Sequence, residues 1–264
     1  MQRTVSAHIE LDLRGKTNMV FGISAAQGAD FGYENLSFVL DGTTLDAAEL
    51  NDLHGTRLHQ FVSGAGRMVV DYTAQVNGRA APAPTTELDL ITYLRPSRYA
   101  QSDSLTPTAR SEFAGLSGHA LLRDVTDWVS GRLAYVSGSS LPTDGATRTL
   151  MNRQGVCRDF AHVTIAMLRA MEVPARMVAV YAPGLSPMDF HAVVEAWVDG
   201  QWWVVDATRL APRQSLLRIS TGRDAADTAW LTSNWTDLAV MSLLVTVTAA
   251  TLPYDDGTEL VQLG

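Results

Sequence analysis

The strongest constraint in this chain is a two-residue turn. Asp199-Gly200 lies between two β-rich runs, His191-Ala192-Val193-Val194-Glu195-Ala196-Trp197-Val198 and Gln201-Trp202-Trp203-Val204-Val205-Asp206. Asp-Gly pairs adopt the left-handed backbone whose twist matches that of antiparallel strands, so they signal a hairpin. With these two residues as the turn, Val198 pairs with Gln201, and the ladder runs outward until Asp206 falls opposite Val193. His191 is two residues from Val193 and shares its face. His191 and Asp206 become diagonal neighbours with Cβ atoms roughly 7 Å apart, within reach of a carboxylate–imidazole hydrogen bond. A slip of one residue would put them on opposite faces. Taken alone, such a pair is more often an edge histidine and a strand-end cap.

A second stretch gives the pair something to act with. Gly155-Val156-Cys157-Arg158-Asp159-Phe160-Ala161-His162 contains the only cysteine of the chain. Phe160, Val163, Met167, Leu168 and Met171 follow at helical spacing, which predicts a helix with one buried face, stopped by Pro174. Cys157 then lies in the first turn, where unpaired N–H groups and the helix dipole favour an anion and a thiol ionises more easily. A lone cysteine is commonly a small buried hydrophobe. The glycine before it, the polar Arg158-Asp159 after it and the helix start around it argue for a nucleophile. His162, five residues on, is turned roughly 140° around the helix from the thiol and is read as structural. Cys157 as nucleophile, His191 as base and Asp206 as orienter make one acyl-transfer arrangement. The oxyanion would be held by the Cys157 backbone N–H and a second donor, for which Gln154, Asn152 and Tyr135 are candidates.

The remainder of the chain sets limits. Formal net charge is −8, with no run of Lys and Arg, which argues against nucleic-acid or anionic-membrane partners. One cysteine excludes an internal disulfide and disfavours structural zinc; no metal or cofactor is expected. The N-terminus lacks the apolar core of a signal peptide, and the longest apolar run, Leu238 to Ala250, is too short to span a bilayer, so a cytoplasmic location is expected. Val5, Ala7, Ile9, Leu11 and Leu13 alternate with polar residues as in a half-buried strand. Met19 to Ile23, Leu36 to Leu40, Leu58 to Val62 and Met68 to Val76 are further strand candidates between glycine turns, and together they predict an antiparallel sandwich. Ala80-Ala81-Pro82-Ala83-Pro84 reads as a linker. Thr106-Pro107 reads as an N-cap with proline at the first helical position, Ser117-Gly118 as the start of a longer helix, and Thr147 as the cap of a short one. His54 and His59 are taken as surface-loop histidines, His8 and His119 as exposed, and Glu195 as a solvated or hydrogen-bonded strand residue. Trp197, Trp202 and Trp203 are taken as core anchors. Met241 to Thr251 is a strand too apolar for an exposed edge, free to join the first sheet system or the second.

The Gly155 to Ala161 stretch, His191-Ala192 with Glu195 and Trp197, Trp202-Trp203 and Asp206-Ala207-Thr208 resemble the transglutaminase-like superfamily, and within it a bacterial cysteine-protease branch. The resemblance covers roughly Leu105 to Trp235. More weakly, the first hundred residues, ending Tyr93-Leu94-Arg95-Pro96-Ser97-Arg98-Tyr99, are similar to the β-rich region that accompanies that branch. The resemblance implies an α+β fold with a papain-like core, a Cys-bearing helix packed on an antiparallel sheet that bears His and Asp. Residues 1–100 would be an N-terminal β-sandwich domain and 101–264 the catalytic domain, with the last strand, about 238–252, a candidate to return to the first. It implies Cys157, His191 and Asp206 as the triad of a cysteine protease, amidase or acyl transferase acting on a peptide, amide or protein substrate. The alternatives are a catalytically silent binding or scaffold protein and a cross-linking transglutaminase. Val156 and Arg158 around the cysteine, where cross-linking enzymes resemble one another in having Gln and Trp, weigh against the last, as do Ala207 and Val193. No calcium loop is visible.

Overall fold

The computed structural model describes residues 1–82 and 84–264. Ala83, in the stretch read as a linker, lies outside the described residues. The chain begins with β1 (Gln2–Leu13), β2 (Thr17–Phe21), β3 (Asp30–Leu40), β4 (Thr43–Leu45), β5 (Ala48–Asn51), β6 (Arg57–Ser63) and β7 (Gly66–Asn77). Helices α1 (Glu87–Thr92), α2 (Ser102–Glu112) and α3 (Gly118–Arg132) follow, then β8 (Ala134–Tyr135), α4 (Ala146–Asn152), β9 (Gln154–Gly155) and α5 (Cys157–Ala170). Next come β10 (Ala175–Tyr181), β11 (His191–Val198), β12 (Gln201–Val205), β13 (Leu217–Gly222), α6 (Ala225–Thr228), β14 (Leu231–Asn234) and β15 (Leu238–Ala249).

Alternation in β1 buries Val5, Ala7, Ile9, Leu11 and Leu13, and the neighbouring β7 buries Met68, Val70, Tyr72, Ala74 and Val76 on the same side. Their sheet runs β15-β1-β7-β3-β4, and a second sheet runs β14-β2-β6-β5. Phe21, Phe38 and Phe61 meet between the two, with ring centroids 4.8 to 5.9 Å apart. Each such buried side chain contributes about 1.5–3 kcal/mol, and the result is an antiparallel β-sandwich.

The last strand joins the first sheet system, one of the two places open to it, but as an edge. β15 pairs antiparallel with β1 and forms the outer edge of its sheet, with Met241 60% and Leu244 61% exposed. Its inward Val245 and Val247 dock it into the sandwich core, so apolar side chains on the other face do not have to be covered.

The other part packs α5, with α3, against an antiparallel sheet ordered β12-β11-β10-β13, and α2 and α4 pack on α5. The architecture is α+β. Helix α5 is buried from Asp159 to Ala170 rather than along one face, because α2, α3 and α4 enclose the sides that the sheet leaves open. Two of its polar side chains are satisfied by nearby carbonyls. Arg169 donates to the carbonyls of Ala175, Arg95 and Arg223, and Thr164 donates to the Phe160 carbonyl.

Two helix starts also differ. Helix α2 begins at Ser102, so Thr106 and Pro107 lie inside it, and the Thr106 hydroxyl bonds back to the Ser102 carbonyl at 2.8 Å. Proline lacks the N–H for the Asp103 carbonyl, but both residues face solvent, where water replaces it. Helix α4 is capped by Gly145 rather than Thr147. Ser117 is the N-cap of α3, and Leu121, Leu122, Val125 and Val129 face its core. No described helix is long and apolar enough to cross a membrane.

Candidate active site

Cys157 is the first residue of α5. The Asp159 carboxylate is buried and accepts the Val156 N–H at 2.8 Å, tying off the helix start. Gly155 is required there because a Cβ on it would sit 2.6 Å from the Asp159 Cβ. Arg158 turns away from the thiol, donates to the Ser140 hydroxyl and Leu141 carbonyl, each at 2.9 Å, and pairs with Asp159 at 3.2 Å. It therefore ties the loop after β8 to the helix start. Cys157 remains half-buried, its sulfur 4.0 Å from the Phe190 carbonyl oxygen.

The hairpin register is the one the turn dictates: Val198 pairs with Gln201 and Val194 with Val205. Asp206 follows the end of β12, and its Oδ2 lies 2.9 Å from His191 Nε2, with both side chains buried. Oδ1 accepts the Thr208 N–H at 2.9 Å and the Thr208 hydroxyl at 2.7 Å. The other ring nitrogen, His191 Nδ1, is buried and has no hydrogen-bond partner among the described residues. Burial opposes charge on this ring. The Asp206 carboxylate, helped by the Cys157 sulfur, outweighs burial and raises the imidazole to about 10. Burial likewise opposes charge on Asp206, but His191 and the Thr208 donors hold it below the usual carboxylate range.

The oxyanion candidates sit differently in the fold. β8 runs parallel to β9 and sets Tyr135 beside Gly155, and the Val136 N–H donates to the Gly155 carbonyl at 3.0 Å. Burial first, and then the nearby Cys157 sulfur, push the Tyr135 hydroxyl up to about 12. Asn152 and Gln154 are exposed, as is Tyr135.

Several other polar residues are occupied elsewhere. His162 is buried, stacks on Tyr99 at 5.2 Å and accepts the Ala225 N–H at 3.2 Å; burial lowers its pKa to about 3. Glu195 is neither solvated nor a second acid. Arg176 and Arg218 grip its two oxygens at 2.7 to 3.0 Å, and they overcome its burial and lower its pKa to about 2. Trp202 lies under the Arg176 guanidinium at 4.0 Å and donates to the Thr85 hydroxyl, while Trp203 packs on His119 and donates to the Val198 carbonyl. His54 and His59 are not surface-loop residues. The side chain of His54 is 5% exposed, with Tyr93 at 2.9 Å, Asp89 at 3.3 Å and Arg176 at 3.3 Å; His59 lies on β6 and is 8% exposed beside Glu49. Each faces a neighbour that is distant in the chain, which a local pattern cannot reveal. From the sequence, Arg158-Asp159 is only a polar pair after the cysteine and Thr208 only part of the family motif, with no partners for any of the three. The Asp-x-Thr spacing of Asp206 and Thr208 is the one local signal available, since Asp and Thr side chains commonly bond to backbone two residues away.

The model of the transglutaminase-like superfamily matches residues 110–207. The crystal structure of a candidate cysteine protease from Cytophaga hutchinsonii is similar over nearly the whole length: 31% identity, 98% of this chain and 96% of that one, TM-score 0.88. An uncharacterized protein of Mycobacterium leprae is 31% identical over 115 residues, covering 39% of each chain. One from Mycobacterium bovis is 33% identical over 122 residues, covering 40% of this chain and 39% of that one. The chain thus spans about two fifths of the length of the curated relatives it matches. By the matched core and the whole-length likeness, the chain belongs to the transglutaminase-like superfamily.

Proposed function

We propose that the protein is a cysteine-nucleophile enzyme acting on amide bonds, with Cys157, His191 and Asp206 as its triad. One observation carries this reading: the buried His191–Asp206 pair leaves the second ring nitrogen unpartnered, while the chain's only thiol is close enough to raise that ring's basicity. The likeness to the candidate cysteine protease of Cytophaga hutchinsonii supports it.

In this mechanism the thiol proton already rests on His191 Nδ1, giving the imidazolium, and the sulfur attacks the amide carbon as its paired thiolate. The oxyanion meets the Cys157 N–H and the Tyr135 hydroxyl. The C–N bond breaks, the amine leaves with the proton from His191, and a thioester remains on Cys157. Water or a second amine, deprotonated by His191, attacks the thioester; the C–S bond breaks and the thiolate–imidazolium pair is restored. Asp206 keeps the imidazole oriented and steadies its cation, and Thr208 holds Asp206. The substrate is a peptide or other amide. Cys157→Ala should abolish turnover of such substrates and labelling by iodoacetamide at about pH 6, where ordinary thiols (pKa about 8.5) react slowly. Undiminished turnover in that variant refutes the proposal.

A further inference from the structure

Asp189 lies in the segment between β10 and β11, next to Phe190, whose carbonyl oxygen is 4.0 Å from the Cys157 sulfur. Its Oδ1 accepts the Phe190 N–H at 2.7 Å. No Lys or Arg pairs with it among the described residues, and Arg158, the cation nearest to Cys157 in the chain, is committed to Ser140, Leu141 and Asp159. The Asp189 side chain is exposed, one residue from the Phe190 carbonyl that faces the sulfur, so its carboxylate is open to a substrate beside Cys157. An exposed carboxylate with no cation partner among the described residues is free to pair with a charge on a bound substrate. Beside it are the half-exposed side chains of Met188 and Tyr135, 37% and 42% exposed, which offer apolar surface for an aliphatic stem.

We infer that Asp189 is a specificity residue that receives a cationic group of the substrate, the ammonium or guanidinium of a Lys- or Arg-type side chain flanking the scissile amide. This rests on the reading of Cys157 as nucleophile and names the substrate class of that site. A solvated turn acid would be enough to fix the Phe190 N–H. Asp189→Asn keeps an acceptor for that N–H and removes only the charge, so it separates the two roles.

The test has two probes. Internally quenched peptides carry lysine, or its uncharged isostere norleucine, walked through the positions flanking the cleaved bond. Aminoethyl and sulfonatoethyl methanethiosulfonate, a cation and an anion, modify the single cysteine and are followed by mass. At one position the wild type should prefer lysine about tenfold, the worth of one charge-assisted contact. Asp189→Asn should level that preference and lower the cation-to-anion ratio of Cys157 modification. Equal rates for lysine and norleucine at every position, or a preference that survives Asp189→Asn, overturns the inference and leaves the nucleophile assignment standing. If no peptide is turned over, the methanethiosulfonate ratio decides: unchanged in Asp189→Asn, it refutes the cation site. The nucleophile assignment is refuted separately, by turnover that survives Cys157→Ala.

Discussion

Asp206→Asn isolates the charge that sets the state of His191. The folded imidazole stands at about 10 against an ordinary 6.5, which corresponds to about 5 kcal/mol in favour of the imidazolium. Burial is the largest single influence on this ring and acts against that charge; Asp206 is the largest influence in its favour. Asparagine preserves the shape and an acceptor but removes the anion. With burial no longer outweighed, the imidazole should fall to 6.5 or below, leaving a neutral ring at about pH 8 where the wild type carries an imidazolium. Nitrogen-detected NMR of the His191 ring across pH reads this directly. Stability should follow with a definite sign. A folded-state pKa above the unfolded value stabilises fully below about pH 6.5, and that stabilisation is lost as pH rises through about 10. Urea unfolding of the wild type should therefore weaken over that window, and Asp206→Asn should flatten the slope. An Asp206→Asn ring that still titrates above about pH 8, or a wild-type ring near 6.5, would refute the assignment of this carboxylate as the controlling charge.

Two further outcomes test neighbouring parts of the structure. Glu195 is held at about 2 against 4.5, which corresponds to about 3 kcal/mol of stability present above pH 4.5 and lost as pH falls through about 2. Glu195→Gln leaves Arg176 and Arg218 buried without their anion and should lower the unfolding free energy in urea by about 3–5 kcal/mol at neutral pH. A loss under about 1 kcal/mol would mean that water or other acceptors already compensate the two guanidinium groups. Tyr135→Phe should cut kcat by about tenfold to a hundredfold with KM little changed, since its hydroxyl would act on the oxyanion and not on the bound substrate. An unchanged kcat would assign the second donor elsewhere.

Some of this molecule follows from neighbouring residues alone. The alternation of β1 decides which of its side chains are buried, because successive side chains of a strand point to opposite faces. Asp199-Gly200 decides the β11–β12 register, and with it the meeting of His191 and Asp206, because a two-residue turn leaves one way to pair the strands. Gly155 ahead of Cys157 marks a helix start that only a residue without a Cβ fits. The rest depends on contacts between segments far apart in the chain. The enclosure of α5 on all sides, the grip of Arg176 and Arg218 on Glu195, the burial of His54 and the pairing that sets Tyr135 beside Gly155 have no periodic signature. β15 could be read as a strand, but its place at the open edge beside β1 depends on which partner its inward valines fill. Turn chemistry and side-chain period act over a few residues; which elements face one another is decided by packing of the whole chain, and it is that packing that brings the thiol to the imidazole.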